Sequence, residues 1–208
     1  MPIFLNESAS VLFVHIPKCA GTSVSNIFRK NYKRYFVDAG LGDRNFFKLR
    51  KCSPQHYHRD ILQLILKVED FDHVFHVIRN PVTRIVSEYV MRSNSSSGEG
   101  FLSFEDFCRN VFSRYKSNPY VLDNHIRPQV EFILPEGEIY YYEDGVRSVY
   151  ENLSEKVGGL TYRNDPSFYV SHRGVGKITP SDVEITDNAL EEIFNFYRDD
   201  IFEFGYSF

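Results

Sequence analysis

Two groups of residues in this chain have the types and spacing to hold an anion. The first is Val11-Leu12-Phe13-Val14-His15-Ile16-Pro17-Lys18-Cys19-Ala20-Gly21-Thr22-Ser23, an apolar run that enters a Lys-x-x-Gly-Thr-Ser turn and then a helix. A strand ending in a glycine turn aims the unpaired N–H groups of the next helix at one point, and the helix dipole favours negative charge there. Lys18 adds a full positive charge, so Lys18, Cys19, Ala20, Gly21, Thr22 and Ser23 read as a cradle for phosphate or sulfate. In the nucleotide-triphosphatase loop G-x-x-x-x-G-K-[ST] the lysine follows the glycine; here it comes three residues before Gly21. The second group is Arg79, at the end of another apolar run, with Ser87 two turns into the helix that follows. Arginine offers a bidentate fork to a phosphate, and a serine hydroxyl on the helix face looking back at the first turn adds a donor. Arg84 and Arg92 bring further positive charge to the same helix.

The elements that must position these groups follow from the pattern. The run Val11 to Ile16 fits a strand buried on both faces, and Thr22 to Tyr32 carries a helical period. The grammar repeats with a strand over Asp72 to Ile78, a turn at Arg79-Asn80 and a helix from Pro81 to Arg92. Two strand-turn-helix units predict an α/β fold with a parallel sheet, whose ligands bind beyond the carboxyl ends of the strands. Arg59 to Lys67 reads as a short buried helix, Phe104 to Tyr115 and Val146 to Val157 as helices, Glu138 to Tyr142 as a strand, and Asn188 to Asp200 as one terminal helix. Ser93 to Gly100 is a polar insertion of surface-loop composition.

Composition narrows the class. At 208 residues the chain suits a single domain over 1–208. A net charge of −4 gives no electrostatic case for a nucleic-acid partner, so any anion site must be local. The three cysteines show no pairing or zinc spacing, and no metal site is expected. Cys19 at a helix start fits a tight turn as a small side chain. No apolar run reaches the ~20 residues that span a bilayer, and the first residues lack a leader pattern. The expectation is a soluble, cytoplasmic protein without an integral membrane segment; its oligomeric state is not readable.

The loop His15-Ile16-Pro17-Lys18-Cys19-Ala20-Gly21-Thr22-Ser23 resembles the 5′-phosphosulfate loop of the sulfotransferases that use 3′-phosphoadenosine-5′-phosphosulfate (PAPS). Ile78-Arg79-Asn80-Pro81-Val82-Thr83-Arg84-Ile85-Val86-Ser87-Glu88-Tyr89 resembles their 3′-phosphate motif. The closest branch is the carbohydrate sulfotransferases of the heparan-sulfate 2-O and chondroitin type with their bacterial relatives. Two segments support it: Asp123-Asn124-His125-Ile126-Arg127-Pro128-Gln129, similar to a His-x-x-Pro-Gln segment, and the ending from Tyr197 to Tyr206, similar to Tyr-x-x-Asp-x-x-x-Phe-Gly-Tyr. The resemblance implies a P-loop nucleotide-kinase-like three-layer fold, with a central parallel β-sheet flanked by helices. It also implies PAPS as donor, the bisphosphate PAP as product, and a carbohydrate or glycoconjugate as acceptor.

On that resemblance Lys18, Gly21, Thr22 and Ser23 hold the 5′-phosphosulfate, and Arg79 and Ser87 hold the 3′-phosphate. Lys18 would neutralise the leaving oxygen, and no metal is then required. An acceptor hydroxyl needs a base, and histidine suits that task. His56-Tyr57-His58 lies between the two anion units and looks like the His-x-His of the 2-O enzymes, which ranks His58 first and His56 second. His125 is the rival base, with Arg127 and Gln129 as substrate or loop-positioning groups. His15, His73 and His76 fall in strand-like runs and read as structural. Arg173 and Lys177, in a glycine-containing basic loop, are possible cofactor contacts. The animal enzymes carry an anchor, a stem and luminal disulfides, and this chain shows none; a bacterial or phage enzyme is the expectation, a trimmed Golgi-type domain the alternative. A small-molecule kinase on the same fold, or a non-catalytic nucleotide-binding module, are the competing readings.

Overall fold

The computed structural model describes residues 2–36, 50–95, 102–162 and 177–207. Five strands form one sheet: β1 (Ile3–Leu5), β2 (Ser10–Val14), β3 (Lys33–Tyr35), β4 (His73–Ile78) and β5 (Glu138–Tyr141), in the order β3-β1-β2-β4-β5. The β2–β4 and β4–β5 pairings are parallel, whereas β1 runs antiparallel to both β2 and β3. The α/β expectation holds for the centre of the sheet. The added edge was not predicted, because three-residue strands carry too little pattern to read.

Around the sheet lie α1 (Gly21–Phe28), α2 (Arg59–Ile65), α3 (Pro81–Ser93), α4 (Phe104–Ser117), α5 (Gly145–Ser154), α6 (Asp187–Phe196) and α7 (Arg198–Phe204). The sheet core is built from Leu12, Phe13, Phe75 and Val77, with Phe28 of α1 and Leu153 of α5 packed on it. A second cluster joins α3, α4 and α6 through Ile85, Val90, Phe107, Val111 and Ile193. Parallel register sets Phe13 against Phe75 and Val14 against His76. The loops after β2 and β4 therefore emerge side by side at the carboxyl edge.

Two element readings are corrected. The helix expected to be buried, α2, buries only Leu62, while Leu64 is 83% exposed, because its apolar residues run round the helix rather than down one face. The single terminal helix is two, broken at Tyr197. Its buried ring donates a hydroxyl hydrogen bond to the Ile126 carbonyl, and buried Asp200 accepts from the Gln129 and Val130 N–H groups. The two helices thereby fasten the 126–130 segment from two directions. Among the described residues no helix is long and apolar enough to cross a membrane.

Candidate active site

The loop after β2 is held in an unusual backbone shape. Lys18 and Ala20 both have positive φ, at 68° and 60°. Ala20 precedes α1 and has no side chain to cap it, and the first intrahelical bond is Val24 N–H to the Ala20 carbonyl at 3.0 Å. The N–H groups of Gly21, Thr22 and Ser23 thus have no partner within the helix. Gly21 is required by contact: a Cβ there would lie 1.8 Å from His15 Nε2, so the imidazole rests directly on its Cα. His15 is thereby moved from the strand, where it was expected to be structural, to the wall of the cradle.

The cations around the loop differ sharply in their freedom. Lys18 Nζ reaches Met91 Sδ at 3.3 Å and makes no ion pair among the described residues; burial lowers its pKa, and Glu88 opposes that. Arg79 donates from Nε to Thr83 Oγ1 at 2.9 Å and from Nη1 to the Lys18 carbonyl at 3.2 Å, with its guanidinium 4.1 Å above the Tyr142 ring. It has no carboxylate partner among the described residues. Ser87 is half-buried on α3, and among the described residues its hydroxyl has no hydrogen-bond partner. Arg84, by contrast, is buried and donates to the Pro17, His125 and Arg127 carbonyls, bracing the loop against the 125–127 segment.

Three imidazoles stand together beside the loop. The His15 and His56 ring centroids are 5.2 Å apart, and those of His56 and His125 are 4.7 Å apart, both edge to face. His56 Nδ1 meets Asp123 Oδ2 at 2.8 Å, and Ser53 Oγ donates to the same oxygen at 2.7 Å. Burial lowers the His56 pKa to about 4 despite Asp123. Burial alone would raise the Asp123 carboxyl, but the bonds from His56 and Ser53 hold it well below the usual range. His125 Nδ1 lies 2.7 Å from Glu88 Oε2, and Arg92 Nε donates to Glu88 Oε1 at 2.8 Å. Glu88 is fully buried; burial would raise its pKa, yet His125, Arg92 and Lys18 hold it at about 2. Ligand atoms of His56, Asp123 and His125 lie within 4.8 Å of one another. With both Nδ1 atoms bonded to carboxylates, the group is a hydrogen-bonded acid–base cluster.

Other expected site residues are placed elsewhere. His58 precedes α2 with its ring against Tyr120 and Phe132, its Nδ1 3.4 Å from the Asn124 amide, and no ring contact to the cluster. Arg127 and Gln129, expected as substrate or loop-positioning groups, are buried and bonded internally. Arg127 pairs with Glu131 and donates to Asn124 Oδ1 at 2.8 Å. Gln129 accepts from the Arg79 N–H at 2.9 Å, donates to the Arg79 carbonyl at 2.8 Å and lies 3.4 Å from Cys19 Sγ. It therefore locks the end of β4 to the loop after β2. Cys19 is buried, its thiol pushed up to about 12 by burial. Lys177 is exposed, next to Ile178, whose backbone Asn94 clamps at the end of α3. Arg173 and positions 96–100 of the polar insertion lie outside the described residues.

Leu122, Asp123 and Asn124 all have positive φ, a run costing on the order of 1–3 kcal/mol per residue. Such strain gathers at functional sites, and here it falls on the segment that supplies Asp123 and leads into His125. The sulfotransferase-family profile matches residues 1–207, the whole of the loop, the α3 motif and the histidine cluster included. The chain belongs to the sulfotransferase family. Its α/β sheet with the strand-loop-helix cradle is the P-loop-like fold of that family. A Candida albicans (strain SC5314 / ATCC MYA-2876) protein named transcriptional regulator of yeast form adherence 5 is similar to this sulfotransferase-family chain, with 29% identity over 125 residues. The match takes in 59% of the chain, and the chain spans 11% of the length of that relative. No solved structure matches it.

Sequence reasoning missed Glu88, Asp123 and His15 as site members. Glu88 stands beside Ser87 in the α3 motif, and a lone acid in a run of Val, Ile and Tyr was a readable signal. Asp123 and His15 gave none, because their roles rest on neighbours distant in the chain.

Proposed function

We propose that this chain transfers a sulfuryl group from PAPS to a hydroxyl of a carbohydrate or glycoconjugate, releasing PAP. The observation that carries the reading is the meeting of helix N–H groups and two cations, Lys18 and Arg79, that have no carboxylate partner among the described residues, with a carboxylate-oriented histidine cluster. Lys18, Gly21, Thr22 and Ser23 would hold the 5′-phosphosulfate, and Arg79 and Ser87 the 3′-phosphate. The fit rests on the close approach over Gly21, on two cations that have no carboxylate partner among the described residues, and on a Ser87 hydroxyl with no partner among them. Bound there, the donor supplies the sulfuryl group and a phosphate leaving oxygen. Lys18, half-withdrawn from water, neutralises charge on that oxygen more strongly than an exposed lysine can.

His56 takes the acceptor proton in this reading, ahead of His58. An ionised Asp123 only accepts, so His56 carries its ring proton on Nδ1 and keeps Nε2 as the base. With a pKa of about 4 the ring is neutral at physiological pH. Asp123 then stabilises the imidazolium that forms. Gln129 and Arg84 hold the loop and β4 in register while this happens. The role of the positive charge that magnesium fills in triphosphate chemistry falls to Lys18 in this reading.

The test is transfer of label from sulfur-labelled PAPS to a panel of glycans, glycolipids and small alcohols, with PAP binding measured alongside. Transfer that fails in His56→Ala and persists in His58→Ala is the expected result. Magnesium-dependent turnover of ATP without PAP binding would replace the reading with a kinase. Tight PAP binding without transfer to any acceptor would make the chain a binding module.

A further inference from the structure

Glu88 is placed where a purely structural residue would be apolar. It lies in the middle of α3, 1% exposed, with Ile85, Val86 and Val90 as helix neighbours. Burying a carboxylate is costly unless every oxygen is bonded, and a well-packed hydrophobe is commonly as stable. Both oxygens of Glu88 are bonded: Oε1 by Arg92 Nε at 2.8 Å, Oε2 by His125 Nδ1 at 2.7 Å. An ionised carboxylate has no proton to give, so the short contact requires a proton on His125 Nδ1, and in the neutral ring Nε2 is then the acceptor. The same helix carries Ser87, and Met91 one turn on touches Lys18 Nζ. Among the described residues the charged and titratable groups facing the Glu88–His125 pair are Lys18 from the loop, Arg92 from α3, His56 from the segment before α2, Asp123 from the segment before His125, and His15 from the end of β2.

We propose that Glu88 is a positioning residue of the reaction centre. It fixes His125 as the Nδ1–H tautomer, so that an Nε2 lone pair stands beside His56 on the acceptor side, while its negative charge faces Lys18 on the donor side. His125 then holds or receives a proton next to the base, and two carboxylate-oriented imidazoles serve one hydroxyl. The assignment rests on the sulfotransferase reading for its chemistry and on the 2.7 Å contact for its geometry. It also has a sign. Because Glu88 faces the lysine that meets the anionic donor, neutralising it costs turnover without weakening donor binding.

The experiment uses the full chain with Glu88→Gln and Glu88→Ala, and His125→Ala to assign resonances. Nitrogen-15 NMR of the His125 ring reads the tautomer, steady-state transfer reads kcat, and calorimetry with PAP reads binding. In the parent His125 is the Nδ1–H form. Glu88→Gln, whose amide oxygen still accepts, keeps that form, binds PAP at least as tightly, and loses kcat on the order of tenfold. Glu88→Ala releases the tautomer and loses on the order of a hundredfold, the lower range for removing acid–base help. The inference is overturned if His125 keeps its tautomer in Glu88→Ala, or if PAP binding weakens in step with kcat in Glu88→Gln. Should Glu88→Ala not fold, Glu88→Gln decides alone: kcat equal to the parent's overturns the inference. A parent chain that transfers nothing from PAPS would sink the proposed function, and the NMR arm would still judge the hold on His125.

Discussion

The two strand-turn-helix units share a grammar in the sequence and differ at the start of their helices. The helix after β2 begins at Ala20, which has positive φ and no capping side chain, and leaves its first N–H groups open. The helix after β4 closes itself: Asn80 Oδ1 accepts from the Val82 N–H at 2.9 Å and from the Thr83 N–H at 3.4 Å, and Pro81 has no N–H to offer. In the proposed reading one unit therefore offers backbone N–H groups to an anion, while the other offers only side chains, Arg79 and Ser87. Two helix N-termini at one sheet edge are not two equivalent anion sites; the cap decides which one is available.

The largest effect that would break this comparison is expected at Lys18. Lys18→Ala should lower sulfuryl transfer by roughly 10²–10³-fold, the range for losing a preorganised charge-stabilising donor, with the fold unchanged by circular dichroism. Turnover near the parent's would remove the first unit from the chemistry. Arg79→Ala should act on binding instead, weakening PAP by about 2–3 kcal/mol in calorimetry, as loss of charge-assisted hydrogen bonds does. Equal affinity for PAP and for the adenosine 5′-monophosphate that lacks its 3′-phosphate, in the parent, would unseat the second unit.

Acid should loosen the histidine side of the first unit. The His56 pKa is held at about 4, below the ordinary histidine value of 6.5, so between those values the unfolded chain binds more protons than the folded one. Its share of stability is present above pH 6.5 and is lost as pH falls toward 4, about 2 kcal/mol by pH 5. His76, neutral between the Leu134 N–H and the Glu138 carbonyl and also held at about 4, adds a background of the same sign. Thermal melts of His56→Gln should show a shallower acid slope than the parent; parallel slopes would contradict the burial assigned to His56.

Gly21→Ala should cost about 1–3 kcal/mol by overpacking, since its Cβ would strike the His15 ring. His15→Ala in the same chain should restore most of the melting temperature, and no recovery would show that the glycine serves something other than this contact. The smallest effect is Asn80→Ala, about 1 kcal/mol of stability from the lost cap, with PAP affinity nearly constant. A large loss of PAP affinity there would mean that the second helix start also meets the anion.

Much of this was legible along the chain because it is local. The apolar run before Lys18, the glycine turn, and Pro81 opening a helix after Arg79 fix both units within a dozen residues each, and short-range sterics and caps act over that span. The antiparallel strands β1 and β3, the break at Tyr197 and the exposure of α2 were not legible. Each depends on what packs against a short segment, and pattern within it says little.

The sequence by itself determined the cradle: which residues could turn, which carry charge, and that the lysine precedes its glycine. Only the tertiary structure decided how the charges divide. It buried Arg84, Arg127 and Gln129 as braces while leaving Lys18 and Arg79 without carboxylate partners among the described residues. It drew His15, His56 and His125 into one cluster and set His58 apart. The reason is physical: a side chain's role is fixed by the partner that meets its polar atoms, and for Asp123 with His56, or Glu88 with His125, that partner lies dozens of residues away and is brought near only when the sheet forms.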